Sequence, residues 1–260
     1  MLSNCGIICI TMKLIDQRFI RHCTKMDVKI VDSCTSAFDE IGNHEAIVAL
    51  RQTAGVGCGE NTFFSPNGGI YLVMRATGMH INPHTLTPAV GLAVHDTILS
   101  VLGIHTKVKW VNDLMYEGKK VVGILVKSPR KAEYLIGVGV NYSTNPKEFE
   151  KAKLGDIATS LEAPQNRASM FVLGLLNSIR HATLAEFDNI KYNNLCLTVG
   201  KNVEFVHNAT KVHGYAESVA PDGSLIVRIG NATVAVDAGE VSIIRNIDEE
   251  YENFNQFQTL

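Results

Sequence analysis

Two stretches of the chain carry residues whose types and spacing could bind a ligand. The first follows Gln52 and contains Gly55, Gly57 and Gly59 at alternate positions. Glycines spaced in this way let backbone amides approach a bound group closely. Glycine-rich connections are more often ordinary turns, so this stretch alone is a weak indication of a binding site.

The second stretch reads as a strand, a polar turn and a second strand. It contains the only tryptophan of the chain, followed by an amide and a carboxylate at the turn and by two lysines on the returning strand: Trp110, Asn112, Asp113, Lys119 and Lys120. Successive side chains of a strand point to opposite faces, so only one of the two lysines can face a given ligand. A β-hairpin whose lysines are simply exposed to solvent shows the same pattern. For this stretch alone, such a hairpin is the better interpretation.

Both stretches lie within a predicted mixed sheet. Short runs rich in β-branched residues alternate with turn clusters, and they predict strands over residues 28–31, 46–50, 69–75, 107–110, 121–127 and 134–141. A helix is expected between the third and fourth strands, with Thr87 as the N-cap, Pro88 at the first helical position and Gly103 at the end. Its apolar face would pack on the sheet. A second amphipathic helix is predicted over residues 167–189.

After Leu197 the pattern changes to short alternating strands, predicted over residues 202–206, 213–219, 224–229, 232–237 and 240–245. Such closely spaced strands indicate a small β-barrel. The predicted fold class is therefore α+β, a mixed sheet with packed helices followed by a barrel. The predicted divisions are an N-terminal extension, a main domain, a C-terminal domain and an acidic tail, at residues 1–26, 27–197, 198–246 and 247–260.

Composition and charge narrow the class of protein. A length of 260 residues fits one to two domains, at about 150 residues per domain. The formal net charge of −2 gives no overall basic field for DNA or an anionic membrane, so neither is an expected partner. No run approaches the roughly 20 apolar residues of a membrane span, and the six cysteines form no CxxC pair. These features predict a cytoplasmic protein with free thiols.

The two stretches together resemble the biotin protein ligases. The second follows the family pattern Lys-Trp-Pro-Asn-Asp, a spacer and Lys-x-x-Gly-Ile-Leu, with Val111 in place of the proline. Gln52-Thr-Ala-Gly is similar to the opening of the family's biotin loop, and Ser65-Pro-x-Gly-Gly-Ile-Tyr-Leu to the strand after it. Gly137-Val-Gly-Val-Asn141 resembles its Gly-x-Gly-x-Asn strand. The similarity extends to about Arg245 and includes the segment Ala238-Gly-Glu-Val-Ser, which resembles the family's C-terminal cap.

This resemblance implies a catalytic domain like those of class II aminoacyl-tRNA synthetases and lipoate ligases, followed by an SH3-like barrel. It also implies a two-step reaction, in which biotin is activated by ATP to biotinyl-AMP and then transferred to a lysine of a biotin carboxyl carrier domain of a carboxylase. ATP and Mg²⁺ are the expected cofactors and biotin the substrate. The N-terminal winged helix that some members carry is not expected here, so a repressor role is not implied.

The resemblance also assigns the site. Lys120 matches the catalytic lysine that lies against the biotin carboxylate and the phosphate. The residues implied to bind biotin are Thr35, Ser36, Ala37, Gln52, Gly55, Val56, Gly57, Cys58, Lys120 and Gly123. Those implied to bind the nucleotide are Phe63, Lys109, Trp110, Asn112, Asp113 and Asn141, with Asp113 also as a Mg²⁺ ligand. Phe63 replaces the family's usual tryptophan, and a core aromatic residue before a strand is an equally good interpretation of it.

One departure from the family pattern bears on activity. The family loop reads approximately Gly-Arg-Gly-Arg-x-Gly-Arg, whereas here Val56 and Cys58 stand in place of arginines and Glu60 adds a negative charge. Each lost charge-assisted bond is worth about 1.5–3 kcal/mol. A catalytically impaired homologue that only binds biotin is therefore one alternative. A related ligase for lipoate or a short acid is another, although the chain has no Gly-Gly-Gly run with a nearby His-Asp.

Overall fold

A seven-stranded mixed sheet lies at the centre of the computed structural model, which describes residues 15–59, 61–78, 80–207, 210–237 and 242–243. Its strands are β1 (Val28–Val31), β2 (Ala46–Ala49), β3 (Ile70–Thr77), β4 (Lys107–Lys109), β5 (Asp113–Tyr116), β6 (Lys119–Arg130) and β7 (Glu133–Val140). They lie in the order β1-β2-β3-β7-β6-β5-β4, with β1 and β2 parallel and the other neighbours antiparallel. The predicted mixed sheet is confirmed, and β5 is an additional strand in the predicted polar turn.

Helices cover both faces of this sheet. They are α1 (Gln17–Thr24), α2 (Ala37–Glu40), α3 (Pro83–Leu102), α4 (Pro146–Lys151), α5 (Ala168–Ala182) and α6 (Asn189–Leu195). The main core lies between one face and the helices α3 and α5, and it buries Val48, Leu72 and Val138. A smaller cluster lies on the opposite face, where α2 packs on Ile47 and Val73. Because strand side chains alternate between faces, β2 and β3 contribute to both layers.

Residues 15–26 belong to the folded core, so the predicted N-terminal extension is wrong for its described part. Asp16 caps α1 by accepting hydrogen bonds from the amides of Arg18 and Phe19. Ile15 and Ile20 are fully buried, and α1 packs on α5. An eight-residue helix with few buried positions gives too short a pattern for its period to be recognised.

The long helix α3 begins five residues earlier than the sequence predicts. Its N-cap is Asn82, whose side chain accepts a hydrogen bond from the amide of His84, and Pro83 occupies the first turn. The predicted start at Thr87 is wrong: Pro88 lies inside the helix, where it is buried and where a proline removes one backbone hydrogen bond. The end at Gly103 is as predicted, with a left-handed φ of 74°.

The helix α3 also has the length and apolar composition of a membrane span, contrary to the prediction that no run approaches that length. More than half of its apolar window is buried inside the fold, where it packs against α5 and the sheet. A helix enclosed in this way carries apolar residues around most of its circumference. We therefore interpret α3 as a core helix.

The second predicted helix ends seven residues earlier than expected, and a separate short helix follows it. The helix α5 ends at Ala182, and α6 starts only at Asn189, with Asp188 accepting a hydrogen bond from the amide of Lys191 as its N-cap. Phe187 and Tyr192 then pack edge to face, with ring centroids 5.4 Å apart. Leu184 and Phe187 continue the apolar spacing past Ala182, although Leu184 is exposed, so the periodicity does not reveal where α5 ends.

The C-terminal part forms a second, antiparallel sheet. Its five strands are β8 (Asn202–His207), β9 (Thr210–Val219), β10 (Leu225–Ile229), β11 (Ala232–Val236) and β12 (Ser242–Ile243), in the order β11-β10-β9-β8-β12. The five predicted strands are therefore present, and their closure into an SH3-like barrel stays a prediction. The predicted cap residues 238–241 and the tail lie outside the described residues.

Candidate functional site

A cleft lies on the face of the seven-stranded sheet that carries α2. Strands β6 and β7 form its floor, while α2, β3 and the loop between β2 and β3 form its walls. We call it the glycine cleft, because Gly123, Gly137 and Gly139 lie on the floor.

Because the floor residues are glycines without side chains, aromatic rings can lie directly against the backbone. Gly123 and Gly139 are register partners across β6 and β7, and Gly137 lies two residues away along β7. A Cβ atom at Gly139 would lie 2.5 Å from the ring of Phe63, and one at Gly137 would overlap the ring of Phe38. A larger residue at either position would have to displace a ring.

A β-bulge directs Lys120 into the glycine cleft. Leu114 pairs with Val122 and Met115 pairs with Lys120, so Val121 is an extra residue in β6. Val121 and Val122 are consequently both buried in the core, and Lys120 lines the same face as the glycine floor. Bulges commonly re-aim a side chain next to a functional site.

Lys120 forms a charged end of the glycine cleft. Its Nζ lies 2.5 Å from Oδ1 of Asp113 and 5.6 Å from the ring centroid of Phe63. Oδ1 of Asp113 is buried and makes no hydrogen bond within the described part of the chain, so the contact is an ion pair without hydrogen-bond alignment. Asn112 lines the same cleft, and its Nδ2 donates to the carbonyl of Ile124 at 3.3 Å.

Gln52 fixes the start of the loop between β2 and β3. Its Oε1 accepts a hydrogen bond from the amide of Ala37 at 2.7 Å, and its Nε2 donates to Oγ of Ser65 at 2.9 Å. Oγ of the neighbouring Ser36 is buried and has no hydrogen-bond partner among the residues that the structure describes. Leaving a buried hydroxyl unpaired costs free energy unless a ligand or water pairs with it. Ser36 is thus a candidate ligand contact, whereas Thr35 is exposed.

The loop itself folds back as a short hairpin over the cleft. Val56 bridges to Thr62, and the amide of Gly57 donates to the carbonyl of Asn61 at 2.8 Å. Val56, Gly57 and Cys58 line the glycine cleft. All three are implied by the family resemblance to bind biotin, and the structure brings them together with Lys120.

Glycine is required where this hairpin begins. A Cβ atom at Gly55 would overlap the carbonyl oxygen of Phe63 and Oγ of Ser65. The amide of Phe63 donates to the carbonyl of Gly55 at 2.8 Å, which closes the base of the hairpin. Close backbone approach therefore explains this glycine. Glu60, with its added negative charge, lies outside the described residues.

Four residues of the predicted nucleotide site do not line the glycine cleft: Lys109, Trp110, Asp113 and Asn141. The indole Nε1 of Trp110 is buried and donates to the carbonyl of Gly223, in the turn between β9 and β10, at 3.0 Å. Nδ2 of Asn141 donates to the carbonyl of Thr159 at 2.9 Å. Both side chains join parts of the fold, so the structure gives them a structural role where the sequence predicts a ligand contact.

Two aromatic residues of the cleft were not predicted from the sequence. Phe38 lines it from α2, and Tyr71 lines it from β3. Burial raises the pKa of the Tyr71 hydroxyl, which donates to the carbonyl of Pro66 at 2.8 Å. Burial also raises the pKa of the nearby Cys34 thiol, with a further contribution from Glu40. The position of Phe38 directly after Ala37 is the one signal in the sequence that could have indicated it.

The arrangement suits a ligand with an apolar body and an anionic group. Glycine backbone and aromatic rings provide flat apolar contact, while Lys120 provides a positive charge at one end. Charges developing on a phosphate or carboxylate are stabilised most by such fixed groups in a partly buried site. The described residues contain no cluster of three or more His, Cys, Asp or Glu side chains that could hold a metal on their own.

Comparison with known proteins points to one family. The model of the biotin/lipoate A/B protein ligase family matches residues 31–141, which include the glycine cleft. The chain is 34% identical over 144 residues to the bifunctional ligase/repressor BirA of Bacillus subtilis, covering 51% of this chain and 44% of that protein. It is 29% identical over 171 residues to the biotin–[acetyl-CoA-carboxylase] ligase of Mycobacterium tuberculosis, covering 62% of each. The chain thus spans less than two thirds of both relatives.

A solved structure shows the same fold. The biotin protein ligase from Aquifex aeolicus in complex with biotin and ATP superposes with a TM-score of 0.71 at 22% sequence identity. The match covers 85% of this chain and 99% of that one. At this level of identity the similarity establishes the fold of the chain and leaves its activity to be argued from the site.

Proposed function

We propose, because the chain belongs to the biotin protein ligase family, that it attaches biotin to a lysine of an acceptor protein. In the first step a carboxylate oxygen of biotin attacks the α-phosphorus of ATP, and pyrophosphate leaves. In the second step the acceptor amine attacks the carbonyl carbon of biotinyl-AMP, AMP leaves, and the amine loses a proton. The observation that carries the proposal is Lys120, which a β-bulge turns onto the glycine floor.

The role of Lys120 follows from its surroundings. Its ammonium group lies beside the apolar floor of the glycine cleft, and Asp113 holds it there. A cation in this place stabilises both the biotin carboxylate and the negative charge on the α-phosphate during attack. Lys119 is not available for this role, because its Nζ donates to the carbonyl of Gly155 at 2.5 Å.

Asp113 and Asn112 fit a Mg²⁺ ion that arrives with the phosphates. Mg²⁺ in nucleotide sites is usually held by one or two carboxylates together with the phosphate oxygens. Oδ1 of Asp113 is paired with Lys120, so the second carboxylate oxygen would be the ligand, and Asn112 adds an amide oxygen nearby. When bound, the ion would neutralise part of the phosphate charge. Holding Lys120 in place remains the task of Asp113 itself.

We propose a biotin carboxyl carrier domain of a carboxylase as the acceptor, because one relative is named a biotin–[acetyl-CoA-carboxylase] ligase. Residues 27–197, together with the preceding helix α1, would form the catalytic domain, and residues 198–246 would form the SH3-like domain.

A cytoplasmic location is supported by the free thiols of Cys23, Cys34, Cys58 and Cys196.

A biotin-binding protein without turnover is the second candidate function. It is favoured by the hairpin over the cleft, which has no arginine or lysine among its described residues. Biotinyl-AMP would then form slowly or escape from the cleft, because no guanidinium group pairs with its phosphate. The two candidates differ in whether the ligand is activated, and both need the same cleft.

Transfer to the acceptor is tested with a purified biotin carboxyl carrier domain. With biotin and Mg-ATP, we expect the chain to increase the mass of that domain by one biotinyl group, as measured by intact-mass spectrometry. A carrier in which the acceptor lysine is replaced by arginine should stay unmodified. An unmodified wild-type carrier, under conditions in which a known biotin ligase labels it, would contradict the proposed acceptor.

A further inference from the structure

Phe38 closes the end of the glycine cleft that is remote from Lys120. The ring of Phe38 lies against Gly137, whereas Lys120 and the ring of Phe63 lie against Gly123. Gly123 pairs with Gly139, and Gly137 is two residues further along β7. These two ends of the floor are therefore separated by about 6.8 Å of antiparallel strand.

The ring of Phe38 is held in this position from several sides. Its own helix packs it with Ile41 on Ile47 and Val73, in the small cluster on this face of the sheet. On the rim, Nζ of Lys127 lies 4.6 Å from the centroid of the ring. A ring enclosed by packed side chains and covered by a cation has little freedom to swing away when a ligand enters.

We propose that Phe38 determines specificity by limiting the length of the acid that the cleft accepts. An acid whose carboxylate lies at Lys120 extends over the glycine floor and ends against the ring of Phe38. Acids enlarged at the end opposite the carboxylate then collide with the ring. This inference rests on the proposed function, because it takes the carboxylate to be placed at Lys120 for attack on ATP.

The test compares Phe38→Ala with the parent and with the control Phe64→Ala. Phe64 is also a half-buried phenylalanine, but it packs edge to face on Phe149 and does not line the glycine cleft. Binding and acid-dependent ATP–pyrophosphate exchange are measured with two pairs of acids. The first pair is biotin and biotin methylated on a ureido nitrogen, and the second is octanoate and dodecanoate.

We expect the parent to favour biotin over its methylated derivative, and Phe38→Ala to reduce that preference by roughly tenfold or more, since one methylene in a pocket is worth about 10- to 200-fold. Phe64→Ala should leave the preference unchanged. Phe38→Leu keeps an apolar side chain at the position, and it should shift the preference in the same direction by a smaller factor. The leucine variant serves if the alanine variant does not fold.

The outcomes separate this inference from the proposed function. A preference that does not change in either Phe38 variant, or that changes equally in Phe64→Ala, overturns the role of Phe38. If the parent selects octanoate over biotin, the proposed substrate is wrong. The preference for octanoate over dodecanoate, compared between the parent and the Phe38 variants, then tests the role of Phe38. If no acid of either pair binds to the parent or the variants, both proposals are wrong.

Discussion

Replacing Lys120 with alanine is expected to reduce biotin-dependent ATP–pyrophosphate exchange by roughly 10²- to 10³-fold, the usual effect of removing one group that stabilises developing charge. The ammonium group is paired with Asp113 and lies on the glycine floor, where we propose that the carboxylate and the α-phosphate meet. Without it, the cleft keeps its shape and loses the charge that brings two anionic groups together. Biotin binding, measured by calorimetry, should weaken much less than exchange.

Lys119→Ala is the matched control for this result. Lys119 is the preceding residue on β6, and its ammonium group contacts the carbonyl of Gly155 instead of the cleft. The control should keep most of the exchange activity. Equal losses in the two variants, with both proteins folded by circular dichroism, would contradict the assignment of Lys120.

Adding arginines to the loop is expected to increase the rate of exchange. Val56 and Cys58 both line the glycine cleft, and Val56 lies on the hairpin that bridges to Thr62. A guanidinium group offers planar paired donors that neither valine nor a thiol provides. The Val56→Arg, Cys58→Arg double variant should therefore exchange pyrophosphate roughly tenfold faster or more, because a charge-assisted hydrogen bond contributes about 1.5–3 kcal/mol. Release of biotinyl-AMP should slow in parallel.

The same charge placed on the other side of the loop serves as the control. Thr53 and Thr62 are exposed residues of this loop, and they line a separate groove between the loop and α4. The Thr53→Arg, Thr62→Arg double variant should leave the exchange rate close to that of the parent. If the Val56 and Cys58 variant is folded and no faster than the parent, the missing charge is supplied by another residue and our interpretation of the loop is wrong.

The sequence predicts the elements of the fold better than their ends. The positions of β1, β2, β3, β6 and β7 follow from β-branched runs with turn residues between them, because these local signals agree with the sheet that forms. The start of α3 is predicted at the wrong residue, because Thr87-Pro88 and Asn82-Pro83 are both acceptable pairs for a helix N-terminus. Only the packing of the first turn decides between them.

The candidate site is predicted in part, and the reason lies in geometry that local patterns do not encode. Lys120, Asp113, Gln52 and Cys58 are all predicted, but the extra residue Val121 that turns Lys120 onto the cleft depends on pairing with β5. Trp110, Asn141 and Phe38 are placed by contacts between distant segments. For Trp110 the partner is Gly223, which lies 113 residues away in the chain. Contacts of this kind depend on tertiary packing, and the spacing of neighbouring residues in the sequence does not predict them.

The measurement that tests the central claim most directly is ATP–pyrophosphate exchange by the parent protein with biotin and with octanoate as the acid. We predict exchange that depends on biotin and Mg²⁺, with little stimulation by octanoate. Exchange with octanoate in place of biotin would identify a short-acid ligase. Biotin binding by calorimetry without any exchange would contradict activation and identify a biotin-binding protein.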